Sequence, residues 1–247
     1  MPITAKDKVV IITGGVGEIG SALARRLVDE GAMVVLADVK DGTALERDLQ
    51  SRGEARFVRT DVGSEEQTRR LAEETAKAYG RIDVLINNAG LFTACPWDEL
   101  TYDEWKARMR VNVDGTFLAT KAVVPAMRRQ GKGKIVNIGS DTVWMGTPGF
   151  AHYGASKGAV MAFTRAIANE LGRDGITSVY VTPTLLDTPG TRAAFPQGHF
   201  DYVLSHTPIG KFEKPDDVAG LIVYLCSDEA GFINGAAINT GGGISMH

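Results

Sequence analysis

Short runs rich in Val, Ile and Leu recur along this chain, and a helical pattern separates most of them from the next. The runs are Val9–Thr13, Met33–Ala37, Arg56–Arg59, Val84–Asn87, Lys134–Ile138 and Ser178–Val181, with a last strand expected at Ala237–Asn239. A strand with one wet face alternates apolar and polar residues. A continuous apolar run needs cover on both faces, which parallel sheets receive from their crossover helices. The pattern therefore predicts an α/β fold: a Rossmann-type doubly wound parallel sheet of about seven strands with helices on both faces. At 247 residues the chain is expected to form a single domain.

Helix ends are marked in the sequence. Ile19–Glu30 places Leu23, Ala24 and Leu27 on one face and stops at Gly31. Ser64-Glu65-Glu66-Gln67 reads as a capping box opening a helix that runs to Tyr79 and stops at Gly80. A long helix is expected over Tyr102–Arg129, another over Tyr153–Leu171, and a last one starts with Pro215 in its first turn. Asp187–Lys211 breaks the rhythm, and its length suggests a mobile lid over a substrate site.

Composition narrows the partners. The net charge is −3, with acids and bases interleaved and no basic stripe, which argues against nucleic acid. No apolar run is long enough to span a membrane, and Met1–Lys8 lacks a signal-peptide core. Cys95 and Cys226 stand far apart and outside any metal-ligand pattern, as expected of reduced thiols in a cytoplasmic protein. No metal is expected.

Thr13-Gly14-Gly15-Val16-Gly17-Glu18-Ile19-Gly20 follows the first strand and opens the first helix. Glycines there let the backbone turn tightly and approach a pyrophosphate seated on the helix N-terminus. A tight turn without a ligand would use the same residues. Asp38 ends the second strand, where an acid can accept hydrogen bonds from ribose hydroxyls and repel a 2′-phosphate. The glycine loop has no Lys or Arg, and only Lys40 follows the acid, so NAD is expected over NADP. A plain turn or capping role for Asp38 is the alternative.

Tyr153 and Lys157 stand four apart, on one face of a helix, thirteen residues after Ser140. The spacing is expected to set an ammonium beside a phenol and pull the phenol's pKa down. A serine hydroxyl at a strand end could then hold the oxygen of an alcohol or carbonyl. These three groups suit hydride transfer at a C–O centre.

With those residues in place, the chain resembles the classical short-chain dehydrogenase/reductase family over essentially its whole length. The matching residues are the Thr13–Gly20 loop, Asp61-Val62, Asn87-Asn88-Ala89-Gly90, Asn112, Ser140, Tyr153, Lys157, Pro183 and Thr188. The resemblance implies that Gly14, Gly17, Glu18, Ile19, Gly20, Asp38, Asp61, Val62, Asn88, Ala89 and Gly90 line the coenzyme. Tyr153 and Lys157 would bind the nicotinamide ribose, and Leu186 and Thr188 the carboxamide. Asn112, Ser140, Tyr153 and Lys157 would form the catalytic set, with Asn112 anchoring a proton relay. Read alone, Asn87 is a sheet-bridging side chain and Asn112 an ordinary helix asparagine. The family also implies a homotetramer, with Val218, Leu221, Ile222 and Leu225 as a pairing stripe; such a stripe also suits a core face.

Two departures stand out. Glu18 occupies the place of the family's middle loop glycine and is expected to point to solvent. Pro183-Thr184 replaces the family's Pro-Gly, and the usual asparagine before it is replaced around Val179-Tyr180. Around Trp144, His152-Tyr153, Pro183–Leu186 and Gly241–His247 the chain resembles 1-phenylethanol dehydrogenases and pyridoxal 4-dehydrogenase. That subgroup implies an aryl or cyclic secondary alcohol, or its carbonyl counterpart, held by Ser140, Trp144 and Tyr153. Phe92, Trp97, Phe195, Phe200 and Tyr202 are further candidate walls, or simply packing. His152 reads as a partly exposed neighbour of Tyr153. Competing readings are a 3-oxoacyl-thioester or sugar-alcohol reductase, and an inactive NAD(H)-sensing regulator.

Overall fold

A computed structural model describes residues 4–246. Met1, Pro2 and Ile3, and His247 of the tail resemblance, lie outside the described residues.

The strands are β1 (Val9–Thr13), β2 (Met33–Asp38), β3 (Ala55–Arg59), β4 (Val84–Asn87), β5 (Gly133–Ile138), β6 (Ile176–Thr182) and β7 (Ala237–Asn239). They form one seven-stranded parallel sheet in the order β3-β2-β1-β4-β5-β6-β7. Side chains alternate between its faces. Val10, Ile12, Val34, Leu36, Ile86 and Val136 enter one core layer. Ile11, Val35, Leu85 and Ile135 enter the other. That two-sided burial is why the strands read as unbroken apolar runs.

The first layer is covered by α1 (Glu18–Asp29), through Leu23 and Leu27. After α2 (Thr43–Gln50) comes α3 (Glu65–Tyr79), whose Leu71 covers the opposite face. The Ser64 hydroxyl accepts from Gln67 N at 3.3 Å, but the Gln67 side chain accepts from Asp61 N instead of Ser64 N. Half of the expected capping box is formed.

The long helix is present with an interruption. α4 (Tyr102–Met109) passes through a π turn, Arg110–Asp114, into α5 (Gly115–Gln130). One-turn π segments widen a helix and often mark functional positions; Asn112 lies in this one.

After the short turn α6 (Thr142–Met145), α7 spans Ala151–Leu171, beginning two residues before Tyr153. The segment Asp187–Lys211, read as loop, holds α8 (Pro189–Ala194) and α9 (Gln197–His206). Thr188 caps α8 through a bond from Thr191 N, and Pro189 fills its first position.

The final helix, α10 (Pro215–Cys226), packs against α1 with Val218, Ile222 and Leu225 buried. Three of the four stripe residues are therefore core, the alternative reading, because covering the first layer of the sheet needs that apolar face; Leu221 is partly exposed. Among the described residues, no helix is long and apolar enough to cross a membrane.

Candidate active site

β1 and β4 are neighbours, but from β1 the chain winds out to β2 and β3 before returning at β4. Beyond the carboxyl ends of such strands a crevice opens. The glycine loop after β1 meets Asn88–Gly90 after β4 in that crevice. Gly14 has φ 62°, and a Cβ there would lie 2.8 Å from Ala89 Cα. A Cβ on Gly20 would lie 2.2 Å from Gly14 O. Only glycine allows this loop to fold back on itself. Asn88 braces it, donating from Nδ2 to the carbonyls of Thr13 and Gly14, both at 3.0 Å.

This crevice fits a dinucleotide. Gly17, the N-cap of α1, offers no side-chain acceptor to the first-turn N–H groups, so that end of the helix is free to take an anion. Buried Asp38 accepts from Val16 N and Lys40 N, both at 3.0 Å. It thus also serves as the turn acid weighed as its alternative, with lone pairs left for a ligand hydroxyl. Asp61 pairs with Arg110 and accepts from Gly63 N at 2.9 Å, and Val62 beside it is buried against Gly115. Ile19 packs on the core next to the loop.

Beyond the end of β5, buried Ser140 meets Tyr153 of α7. The serine hydroxyl lies near enough to the phenol to favour its ionised form. The serine Oγ also accepts from Thr142 N and Thr142 Oγ1, at 3.3 and 3.0 Å. Lys157 is 5% exposed, and its Nζ donates to Ile138 O at 2.7 Å. Asn112 accepts from Leu91 N at 2.8 Å and donates to Leu91 O and Ser156 Oγ. A Cβ on Gly90 would sit 3.4 Å from Asn112 Oδ1 and 3.7 Å from Lys157 Nζ, so the glycine opens the space between strand end and helix. Asn87 donates to Asn137 Oδ1 across the sheet at 2.8 Å, as its bridging reading expected.

The electrostatics correct one expectation. Tyr153 is pushed up to about 12 by burial, and Lys157 down to about 8 by the same cause. The ammonium does not reach the phenol oxygen. It is directed at the Ile138 carbonyl, 5.7 Å from the centre of the tyrosine ring. Four-residue spacing put both groups on one face, but desolvation outweighs their attraction. What lowers the phenol here is the Ser140 hydroxyl and the charge of Arg108, while the Asp141 carboxylate raises it.

Glu18 is the second correction. Its carboxylate crosses to the other wall, accepting from Thr188 Oγ1 and, at 2.7 Å, from Gly190 N. The residue is exposed, as expected, but its carboxylate is tied to the start of α8 rather than free in water. Leu186, just before, is buried. His152 is the third: it is fully buried rather than partly exposed, because α4 packs across that side of α7.

Three participants escaped the sequence reading. Arg108 lies one helical turn before Asn112, buried, donating to the carbonyl and hydroxyl of Thr93; the i, i+4 spacing was its signal. Tyr180 in β6 accepts from Ser140 N at 3.3 Å and donates to Lys157 O at 3.0 Å. Its ring fills the space that Gly139 leaves, where a Cβ would lie 2.1 Å from Tyr180 Cζ. The replacement noted around Val179-Tyr180 was the trace of this. Phe150 stacks edge-on to Tyr153 at 5.9 Å and touches Phe195 at 5.7 Å and His199 at 6.5 Å.

Of the other expected walls, Phe92 meets Phe195 at 6.3 Å, and Trp144 meets Tyr180 edge-on at 6.4 Å. Phe200 is buried away from this cluster against Phe212. Trp97 and Tyr202 are 74% and 51% exposed, Tyr202 stacking on His206 at 4.1 Å, away from the Phe150 cluster.

Residues 15–245 match the family model described as enoyl-(acyl carrier protein) reductase. The chain is 36% identical over 244 residues to (2S)-[(R)-hydroxy(phenyl)methyl]succinyl-CoA dehydrogenase subunit BbsD of Thauera aromatica, covering 98% of each protein. It is 39% identical over 238 residues to meso-2,3-butanediol dehydrogenase of Serratia marcescens, covering 96% of this chain and 94% of that one. The crystal structure of gox2181 has the same fold, with a TM-score of 0.93 at 30% identity, covering 98% of this chain and 97% of that one.

Proposed function

This chain belongs to the classical short-chain dehydrogenase/reductase family of oxidoreductases, and from that premise we propose that it interconverts a secondary alcohol and its carbonyl compound with NAD. The observation that carries the reading is the convergence of Ser140, Tyr153 and Lys157 beside the crevice at β1 and β4.

In the oxidation direction, Tyr153 Oη as phenolate takes the proton of the substrate hydroxyl. Ser140 Oγ donates to the same substrate oxygen and holds it against the phenol. NAD⁺, when bound, would supply the acceptor for the hydride from the carbinol carbon, and its positive charge would favour the Tyr153 phenolate. Lys157 and Asn112, set around Gly90, would take up the proton leaving Tyr153 once a hydroxyl of the bound coenzyme or a water spans the gap between phenol and ammonium. Reduction reverses each movement. Gly14, Gly17, Ile19 and Gly20 would seat the pyrophosphate, Asp38 the adenosine ribose, Asp61 and Val62 the adenine. Asn88, Ala89 and Gly90 would line the ribose side, and Leu186 and Thr188 the carboxamide.

Asp38 at the end of β2, with no Arg or Lys in the loop, supports NAD over NADP. Replacing Asp38 with Ala is expected to narrow the NAD/NADP ratio in kcat/KM by about tenfold, by removing a charge that repels a 2′-phosphate. The absolute kcat/KM for NAD should fall too, since Asp38 also holds Val16 N. A ratio unchanged in steady-state kinetics would show that this residue does not select the coenzyme.

For the substrate we favour an aryl or cyclic secondary alcohol. Phe92, Phe150, Phe195 and His199 surround the approach to Tyr153, with Trp144 beyond it, and such rings stack on a flat apolar partner. A relative named for a hydroxy(phenyl)methyl substrate agrees with this. The family model's acyl-carrier description keeps a 3-oxoacyl-thioester reductase as the second reading. Assay of NAD⁺ reduction against aryl, cyclic and aliphatic secondary alcohols, sugars and hydroxyacyl thioesters decides between them. Aryl or cyclic alcohols should give the highest kcat/KM. A clear preference for thioesters would overturn the substrate assignment, and turnover of none would favour an NAD(H)-binding regulator. The same reading places the protein in the cytoplasm as a homotetramer.

A further inference from the structure

We propose that Glu18 is a clasp that holds the start of α8 against the coenzyme loop, and that an arriving dinucleotide must release it. This rests on the coenzyme reading above.

Glu18 is the first residue of α1, directly after the uncapped Gly17. Its carboxylate reaches two groups more than 160 residues away in sequence: Thr188 Oγ1 and Gly190 N, the latter at 2.7 Å. The approach is close enough that a Cβ on Gly190 would lie 2.8 Å from Glu18 Oε2. Thr188 is buried and Gly190 belongs to the first turn of α8, so one carboxylate joins the two walls of the crevice. Without a coenzyme this is a favourable place for a negative charge. It lies at the positive end of the α1 dipole and accepts an N–H from the start of α8.

The same place is what the glycine loop offers to a pyrophosphate. Two anions at one helix end repel each other, and the loop holds no Lys or Arg to neutralise either. Holding the dinucleotide therefore favours release of the Glu18 carboxylate. Release frees the segment that leads, a few residues on, to Phe195 and His199, the rings packed on Phe150 beside Tyr153. Occupancy of the coenzyme crevice is thereby transmitted to the substrate wall through one side chain.

The test compares wild type with Glu18→Ala and Glu18→Gln. Amide hydrogen exchange, read by mass spectrometry without coenzyme, follows residues 187–206, and fluorescence titration gives the NADH Kd. In E18A, exchange over 188–194 should rise while β3 and α3 keep wild-type protection, and NADH should bind about three- to tenfold tighter. E18Q, which keeps an acceptor but loses the charge, should retain more protection than E18A and still tighten NADH. Wild-type exchange over 188–194 in E18A overturns the clasp. So does an NADH Kd that E18A leaves unchanged or weakens while wild type binds NADH normally. A wild type that binds neither NADH nor NADPH would overturn the coenzyme reading itself, and the coupling with it.

Discussion

Replacing Tyr153 with Phe is expected to lower kcat about a thousandfold while leaving the NADH Kd within about threefold of wild type. The substitution removes one oxygen and keeps the ring. Packing against Phe150 persists, and Ser140 retains its bonds to Thr142, so the wall of the site keeps its shape. What is lost is the group proposed to exchange a proton with the substrate oxygen that Ser140 would hold. Stability should change by less than about 1 kcal/mol, the net worth of one buried hydrogen bond. Stopped-flow and steady-state rates beside an NADH titration check this. Activity within about tenfold of wild type would remove Tyr153 from the mechanism.

Lys157→Met should separate activity from stability. Turnover is expected to fall at least about a hundredfold, because the proton path from Tyr153 loses its cationic member. The protein, however, should become more stable. Burial lowers the Lys157 ammonium from 10.5 to about 8, which says that the folded state disfavours this charge. Below pH 8 the penalty is fully present and amounts to about 3 kcal/mol. Between pH 8 and 10.5 the unfolded chain binds the extra proton, so wild-type stability rises with pH across that window and the penalty fades.

Methionine removes the charge and keeps much of the volume, but leaves the Ile138 carbonyl without its donor, a loss of about 1 kcal/mol. The balance at pH 7 is a gain of about 2 kcal/mol, or roughly 5 °C in Tm. Calorimetry from pH 7 to 10 should show the gain shrinking as pH rises. A Lys157→Met protein less stable than wild type at pH 7 would mean that the buried ammonium is not a liability.

Legibility from sequence differed between parts of the molecule for identifiable reasons. β1 and β4 were read to the residue, since a strand buried on both faces has little choice of composition; the partly buried edge strand β7 was also read to the residue. The helix over Tyr102–Arg129 was read as one piece because its periodicity continues through the π turn at Asn112. That turn is held by Leu91 and Ser156, which come from elsewhere in the chain. α8 was missed although Thr188-Pro189 is a strong start signal, because its stop at Phe195-Pro196 comes within two turns. The stripe on α10 stayed open between pairing and core for a different reason. An apolar helical face states that it will be covered and not by what.

In the site, four-residue spacing put Tyr153 and Lys157 on one face of α7, and Asn112 came from the family resemblance. Neither could state which way their heads point. The ammonium was expected at the phenol and is found on the Ile138 carbonyl. Glu18 is exposed as expected, but its carboxylate is held by Thr188 and Gly190.

Local chemistry was enough for the sheet, its crossover helices and the glycine turn, because each depends on neighbours within a few residues. The protonation of Tyr153 and Lys157, the role of Arg108 and Tyr180 around them, and the joining of Glu18 to α8 belong to the folded molecule. Desolvation and hydrogen bonds between distant segments set them, and neither exists until the chain has closed on itself.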